Sequence, residues 1–174
     1  MDPQSILMIA ALAVLVAFSA YFSATETAFT SLNRIRMRSR AEGGDRRAAL
    51  ALRLSEDYDR FLSTILIGNN IVNISASTLG TVLFTKHVGD AYGPLVSTIV
   101  LTAVILIFGE ISPKSLAKEH AESFAMFSAP ILRIFLAVLG PLNFIFAQWK
   151  RLIRHLFRHS PDAGITEEEL ITMV

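Results

Sequence analysis

Glu110 is a carboxylate placed behind fourteen uncharged residues, Leu95 to Phe108. In a hydrocarbon-solvated segment such a group costs roughly 3 kcal/mol on insertion scales, so it normally faces a polar cavity and has a partner. Two other apolar stretches carry polar clusters of their own, Ser19, Ser23 and Glu26 in the first and Asn69, Asn70 and Asn73 in the second. Hydroxyls, amide oxygens and a carboxylate are hard donors. They suit Mg²⁺, Ca²⁺, Mn²⁺ or Na⁺ rather than Zn²⁺ or Cu⁺. Small Ser side chains and a glycine favour a compact octahedral ion at about 2.1 Å over a roomy Ca²⁺ cage. If the three clusters meet, the chemistry is cation binding inside a membrane.

The spacing permits that meeting. Ser19 and Ser23 are four residues apart and Glu26 is three further on, so one helix face carries all three, with Thr30 below. Asn70, Asn73 and Ser77 form a stripe on a second helix. Glu110 lies in the run Phe108-Gly-Glu-Ile-Ser-Pro-Lys114. Pro113 lacks an N–H and disfavours helix just before it, so a break is expected there, freeing carbonyls near Gly109. Free carbonyls at membrane depth line a cavity or bind something. Glu26 is expected nearer the interface, either paired with Arg34 or Arg60 or taking part in coordination. Ser63, Thr64, Ser75, Thr78 and Thr81 read as helix–helix glue, worth about 0.6 kcal/mol each. Small residues at 77 and 80 allow close packing.

The elements that must position these groups are membrane helices. Of 174 residues, 52% are apolar and 18% charged, with mean hydropathy +0.49. A soluble domain carries about 25% charged residues. The expected fold is an all-α membrane protein with three spans, at about 4–33, 61–84 and 94–119. The first run has no Lys or Arg ahead of it and carries Glu26, so it reads as a retained span and not as a cleaved signal peptide. Between the first two spans, residues 34–60 hold eight Arg, with a break between short helices at Gly43-Gly44. That Arg excess marks the cytoplasmic side. The N-terminus is therefore placed outside, and the spans run out-to-in, in-to-out and out-to-in.

Residues 121–158 are apolar but interrupted by Pro130, Arg133, Gly140 and Pro141, and they lead into Lys150, Arg151, Arg154 and Arg158. A fourth crossing would put those cations outside, so the segment is expected to be an interfacial or re-entrant belt on the cytoplasmic face, anchored by Trp149. The transmembrane domain is then 1–158. Residues 159–174 read as a linker and the start of a truncated cytoplasmic region, with Thr166 as N-cap of a further helix and Glu169 at its third position. Counted along helices from Arg34, Arg60 and Lys114, the residues Ser23, Asn70 and Glu110 lie about 17, 15 and 6 Å into the bilayer. All three fall in its cytoplasmic half.

Several classes drop out. Without cysteine there is no disulfide, thiolate metal site or Cys nucleophile. Net charge is +1 and the Arg-rich stretch carries interspersed acids, so no nucleic-acid partner is expected. His155 and His159 sit in a basic run and read as a solvated or headgroup face, not a zinc pair. The spans hold no Ser/His, di-Asp or HExxH arrangement, so no enzyme is expected. Three spans cannot enclose a pathway, and the second is too polar to face lipid comfortably, so a homodimer is expected to bury that face.

The runs FSATETAFTSLNR (22–34), GNNIVN (68–73) and GEISPK (109–114) resemble the transmembrane domain of the cyclin-M/CorC family of magnesium transporters. The resemblance covers nearly the whole chain, with the three motifs in order. It implies three spans with a cytoplasmic-side juxtamembrane belt, a homodimer, and an inward-opening Mg²⁺ site. It implies Mg²⁺ export, with Na⁺ as the coupling ion. The family's metal site would fall on Ser19, Ser23, Asn70, the Gly109 carbonyl and Glu110, with Pro113 as helix breaker and hinge. Members usually continue into a paired CBS module that binds ATP, and ITEEELITMV resembles its lead-in. A non-transporting Mg²⁺ sensor or membrane anchor that regulates another transporter is the alternative left open by the sequence.

Overall fold

The computed structural model describes residues 2–156, with side chains as far as residue 153. The expected helix start at Thr166 and the side chains of His155 and His159 lie outside the described residues. Among those residues there is no strand. The chain forms α1 (Pro3–Ser31), α2 (Arg34–Glu42), α3 (Arg46–Glu56), α4 (Tyr58–Val88), α5 (Gly93–Val104), a π-helical segment (Ile105–Ile111), α6 (Ser112–Glu119), α7 (Ala121–Val138) and α8 (Gly140–Leu156).

α1 and α4 run antiparallel along nearly their whole length. At one end Lys86 Nζ meets Asp2 Oδ2 at 2.6 Å and donates to Gln4 Oε1 at 3.0 Å, while Ser5 donates to Asp2. The hydrogen bond from Lys86, helped by that from Ser5, holds the Asp2 carboxyl down at about 2. At the other end Phe29 stacks on Phe61 with ring centroids 4.7 Å apart. Between them the tip of the Phe22 ring meets Gly68, where an added Cβ would sit 2.5 Å from Cζ.

The Phe22 ring is buried and locked edge-on by Phe135 at 4.9 Å. It cannot give way as a flexible chain would. Gly68→Ala is therefore expected to destabilise the fold by about 1–3 kcal/mol through overpacking, read as a lowered Tm in detergent. An unchanged Tm would mean that α1 and α4 separate freely at this point.

α4 turns into α5 through Gly89, at φ +96°, and Gly93. Gly93 packs so tightly that a Cβ would lie 2.4 Å from Thr85 Cα. Gly80 does the same against Leu101, the close approach expected from small residues there. α5, the π segment and α6 form one continuous helical rod from Gly93 to Glu119. This rod runs parallel to α1, with Gly109 beside Ser19 and Lys114 beside Glu26.

The expected break at Pro113 is thus corrected. The rod widens to π winding before the proline and resumes as α-helix with Pro113 at its second residue. The proline's missing N–H leaves one carbonyl of the preceding turn without its donor, yet the rod stays continuous. The wider turn before it relieves the ring's clash with the carbonyl four residues back.

The α2–α3 hairpin breaks at Gly43-Gly44 as expected, Gly44 taking φ +94°. Asn33 and Asp45 cap the two helices by accepting backbone N–H bonds at 3.0–3.2 Å. Met37, Ala48 and Ala51 join Phe22, Phe29, Phe61 and Leu132 in one core that ties this hairpin to α1, α4 and α7.

Among the described residues, three helical stretches are long and apolar enough to cross a membrane, Pro3–Ser31, Gly93–Glu119 and Ala121–Val138. Two coincide with expected spans. The third, α7, is continuous through Pro130, although that residue was expected to interrupt it. α4 is the longest helix described, at 31 residues, and Asn69, Asn70 and Asn73 hold its hydropathy down. Taken by itself, the unit from residue 141 carries α8, whose Phe144, Ile145, Phe146 and Trp149 are exposed, with Lys150 and Arg151 following.

Candidate functional site

The three polar clusters lie where α1, α4 and the π segment meet. Ser19, fully buried, donates to Asn69 Oδ1 at 3.1 Å. On its other side Gly109 comes so close that a Cβ there would stand 2.9 Å from Ser19 Oγ and 3.3 Å from its Cβ. One hydroxyl thus joins all three helices. The glycine is needed at this position for close approach rather than for its backbone angles.

Ser23, one turn further along α1, is buried and its Oγ has no hydrogen-bond partner. A serine in a helix can ordinarily bond the carbonyl four residues back. Here it does not, and a buried hydroxyl without a partner costs about 1–3 kcal/mol. Asn73 Oδ1, one turn from Asn69, is a second buried oxygen without a partner. Both fit the reading of oxygens held ready for a ligand.

Glu110 follows Gly109 directly and is half-buried. Among the described residues its carboxylate makes no hydrogen bond and no ion pair. The cation nearest in sequence, Lys114, is engaged elsewhere, 3.2 Å from Glu26 Oε2. This corrects the expected pairing of Glu26 with Arg34 or Arg60. Arg34 donates instead to the Ser55 carbonyl at 3.3 Å.

The backbone of the π segment adds further oxygens. The Ser112 N–H bonds the Ile107 carbonyl, five residues back. Pro113 brings no N–H, so a carbonyl that a normal residue would satisfy loses its donor. In an α-turn that carbonyl is Gly109's, and in a π-turn it is Phe108's.

Of the five expected metal-site residues, Ser19 and Gly109 are in contact, with Ser23 and Glu110 adjoining them along their helices. Asn70 is exposed on α4, and its neighbour Asn69 takes the contact with Ser19. Sequence reasoning did not single out Asn69 or Asn73 as site residues, though both belong to the cluster it marked. It also missed Lys114 as a partner in the membrane. Among the described residues no three His, Cys, Asp or Glu side chains converge. Any cation held here would meet one carboxylate and several neutral oxygens.

The sequence model of a family described as "Cyclin M transmembrane N-terminal domain" matches residues 9–174. A UPF0053 protein of Haemophilus influenzae is 46% identical over 140 residues, covering 80% of this chain and 33% of that protein. The UPF0053 inner membrane protein YfjD of Escherichia coli is 38% identical over 160 residues, 90% of this chain and 37% of that one. A protein of Haemophilus influenzae named polyamine export protein is 27% identical over 180 residues, 95% of this chain and 42% of that one. The chain therefore spans about a third of the length of the first two of these curated relatives.

Proposed function

The chain belongs to the cyclin M transmembrane N-terminal domain family, and on that premise we propose that it is the membrane part of a Mg²⁺ exporter. The observation that carries the proposal is the Glu110 carboxylate, without a partner among the described residues, directly after Gly109, whose backbone packs against Ser19, one turn from the unpartnered Ser23 hydroxyl. A divalent ion supplies the charge that no described side chain supplies. Ser19, Ser23, an asparagine of α4 (Asn70 by the family motif, Asn69 by its contact) and the Gly109 carbonyl contribute neutral oxygens. A close cage of this kind strips water from a small ion and is too tight for Ca²⁺.

In this reading α1, α4 and the α5–α6 rod cross the membrane, with the N-terminus outside and the C-terminus cytoplasmic. α7 and α8 form the belt, and the domain ends near residue 158. The name of the Escherichia coli relative supports an inner-membrane location. The π segment with Pro113 is the hinge for alternating access. A homodimer buries the exposed face of α4, where Ser75 and Thr78 are exposed. Na⁺ entering down its gradient drives export, and a CBS pair beyond residue 174 regulates it.

The test is flux. Full-length protein in sealed liposomes carrying a Mg²⁺ dye is expected to move Mg²⁺ in a Na⁺-dependent, saturable way. Asn70→Ala and Ser23→Ala are each expected to weaken Mg²⁺ binding about tenfold, and Ser75→Ala to leave it unchanged, since each of the first two deletes a neutral ligand. Binding without flux would replace the exporter by a Mg²⁺ sensor. The same assay with spermidine outcompeting Mg²⁺ would move the substrate toward that of the polyamine export protein.

A further inference from the structure

The geometry points to Lys114 as a tethered cation that exchanges between two carboxylates and so controls release from the site. The inference rests on the reading of Glu110 as the charged ligand of a bound cation. Lys114 lies four residues after Glu110 on one rod, and Glu26 lies three residues after Ser23 on α1. Glutamate followed by lysine at i, i+4 is the favourable order for an ion pair along a helix, with Cβ atoms about 5–6 Å apart. Lys114 does not make that pair. It crosses to α1 and meets Glu26 at 3.2 Å, both side chains partly exposed at the rim of the bundle.

One ammonium therefore holds the Glu26 carboxylate while a second carboxylate, Glu110, stands four residues back on its own rod, where the π winding separates it from the ideal α spacing. With Lys114 on Glu26, the Glu110 carboxylate is free for a divalent ion. When the ammonium swings to Glu110 it occupies the same carboxylate and repels the ion, with twice the force it exerts on a monovalent one. No bond is broken and no proton moves. The pair the ammonium leaves, Lys114–Glu26, is partly exposed and so weak enough to open. Lys114 is thus a positioning residue that acts through Glu110.

A double-mutant cycle in the full-length protein tests this, with Mg²⁺ affinity from calorimetry and turnover from liposome flux. Glu26→Gln leaves Lys114 only Glu110 as partner and is expected to weaken Mg²⁺ binding about tenfold. Lys114→Gln is expected to tighten binding severalfold and to slow turnover, because the ion is no longer displaced. The double variant is expected to follow Lys114→Gln and not to show the loss of Glu26→Gln, because that loss acts through the lysine. Lys114→Arg keeps the charge and serves as the control for folding, alongside Tm. Equal Mg²⁺ affinity in all variants, with changes in Tm alone, would make the pair a structural strut and overturn the inference. Loss of affinity in both single variants would overturn it as well. Wild type that binds no Mg²⁺ would remove the site itself, and the exchange with it.

Discussion

Glu110→Ala is expected to abolish saturable Mg²⁺ binding and transport, a loss of at least 100-fold, while the purified protein keeps its wild-type elution and a Tm equal to or above wild type. The two halves of this expectation have one cause. The Glu110 carboxylate is half-buried and has no protein partner among the described residues. Among the described residues it is the only formal charge the candidate site supplies. Serine hydroxyls and amide oxygens cannot offset the loss of water from a divalent ion without it. The same carboxylate costs roughly 3 kcal/mol to hold in an apolar segment, so its removal relieves the fold. Calorimetric titration with Mg²⁺ and a thermal melt on the same sample read both effects. Wild-type affinity in the variant would exclude Glu110 from the site. A variant that unfolds would make the carboxylate a structural group.

Gly109→Ala is expected to produce the second-largest loss, with the opposite effect on stability. The new methyl would stand 2.9 Å from Ser19 Oγ and 3.3 Å from Ser19 Cβ. Rotation about χ1 moves Ser19 Oγ aside only at the cost of its bond to Asn69, and Ser19 Cβ is fixed to the backbone. The rod has to move away from α1, which opens the cage. The expected result is a Tm loss corresponding to about 1–3 kcal/mol and Mg²⁺ affinity reduced about thirtyfold. The double variant Gly109→Ala/Ser19→Gly removes the obstructing atoms along with one ligand. It is expected to regain Tm but not affinity. Recovery of both would show that the glycine serves packing only. Full affinity in the single variant would place the ion away from the Ser19–Gly109 contact.

The sequence revealed the polar clusters because polar residues in apolar runs stand out whatever the packing. The hairpin break at Gly43-Gly44 was legible for a similar local reason, since two adjacent glycines end a helix wherever they occur. Three features of the site were not legible. Pro113 announces a missing donor, but whether the chain breaks or rewinds as a π-helix depends on what the neighbouring helix allows at Gly109. The choice between Asn69 and Asn70 is a rotation of one residue about α4, and that rotation is fixed by Phe22 seating on Gly68, a contact between residues 46 apart. The partner of Glu26 depends on the parallel alignment of α1 with the α5–α6 rod, which no local pattern encodes. The hydropathy of α4 misleads in the same way. Its asparagines depress the average, yet the helix packs against α1 from the Asp2–Lys86 contact to the stacked rings of Phe29 and Phe61.

The most direct test of a cation held at Glu110 is to place a heavier stand-in there and locate it. Mn²⁺ has the size and oxygen preference for the role, and its anomalous signal in crystals of the full-length protein identifies it. The account predicts one Mn²⁺ peak between α1, α4 and the π segment, about 2.1 Å from a Glu110 oxygen, with Ser23 Oγ and the Gly109 carbonyl turned toward it and Lys114 on Glu26. A map with no peak there, and with the Lys114 ammonium bonded to Glu110 at saturating metal, would contradict it.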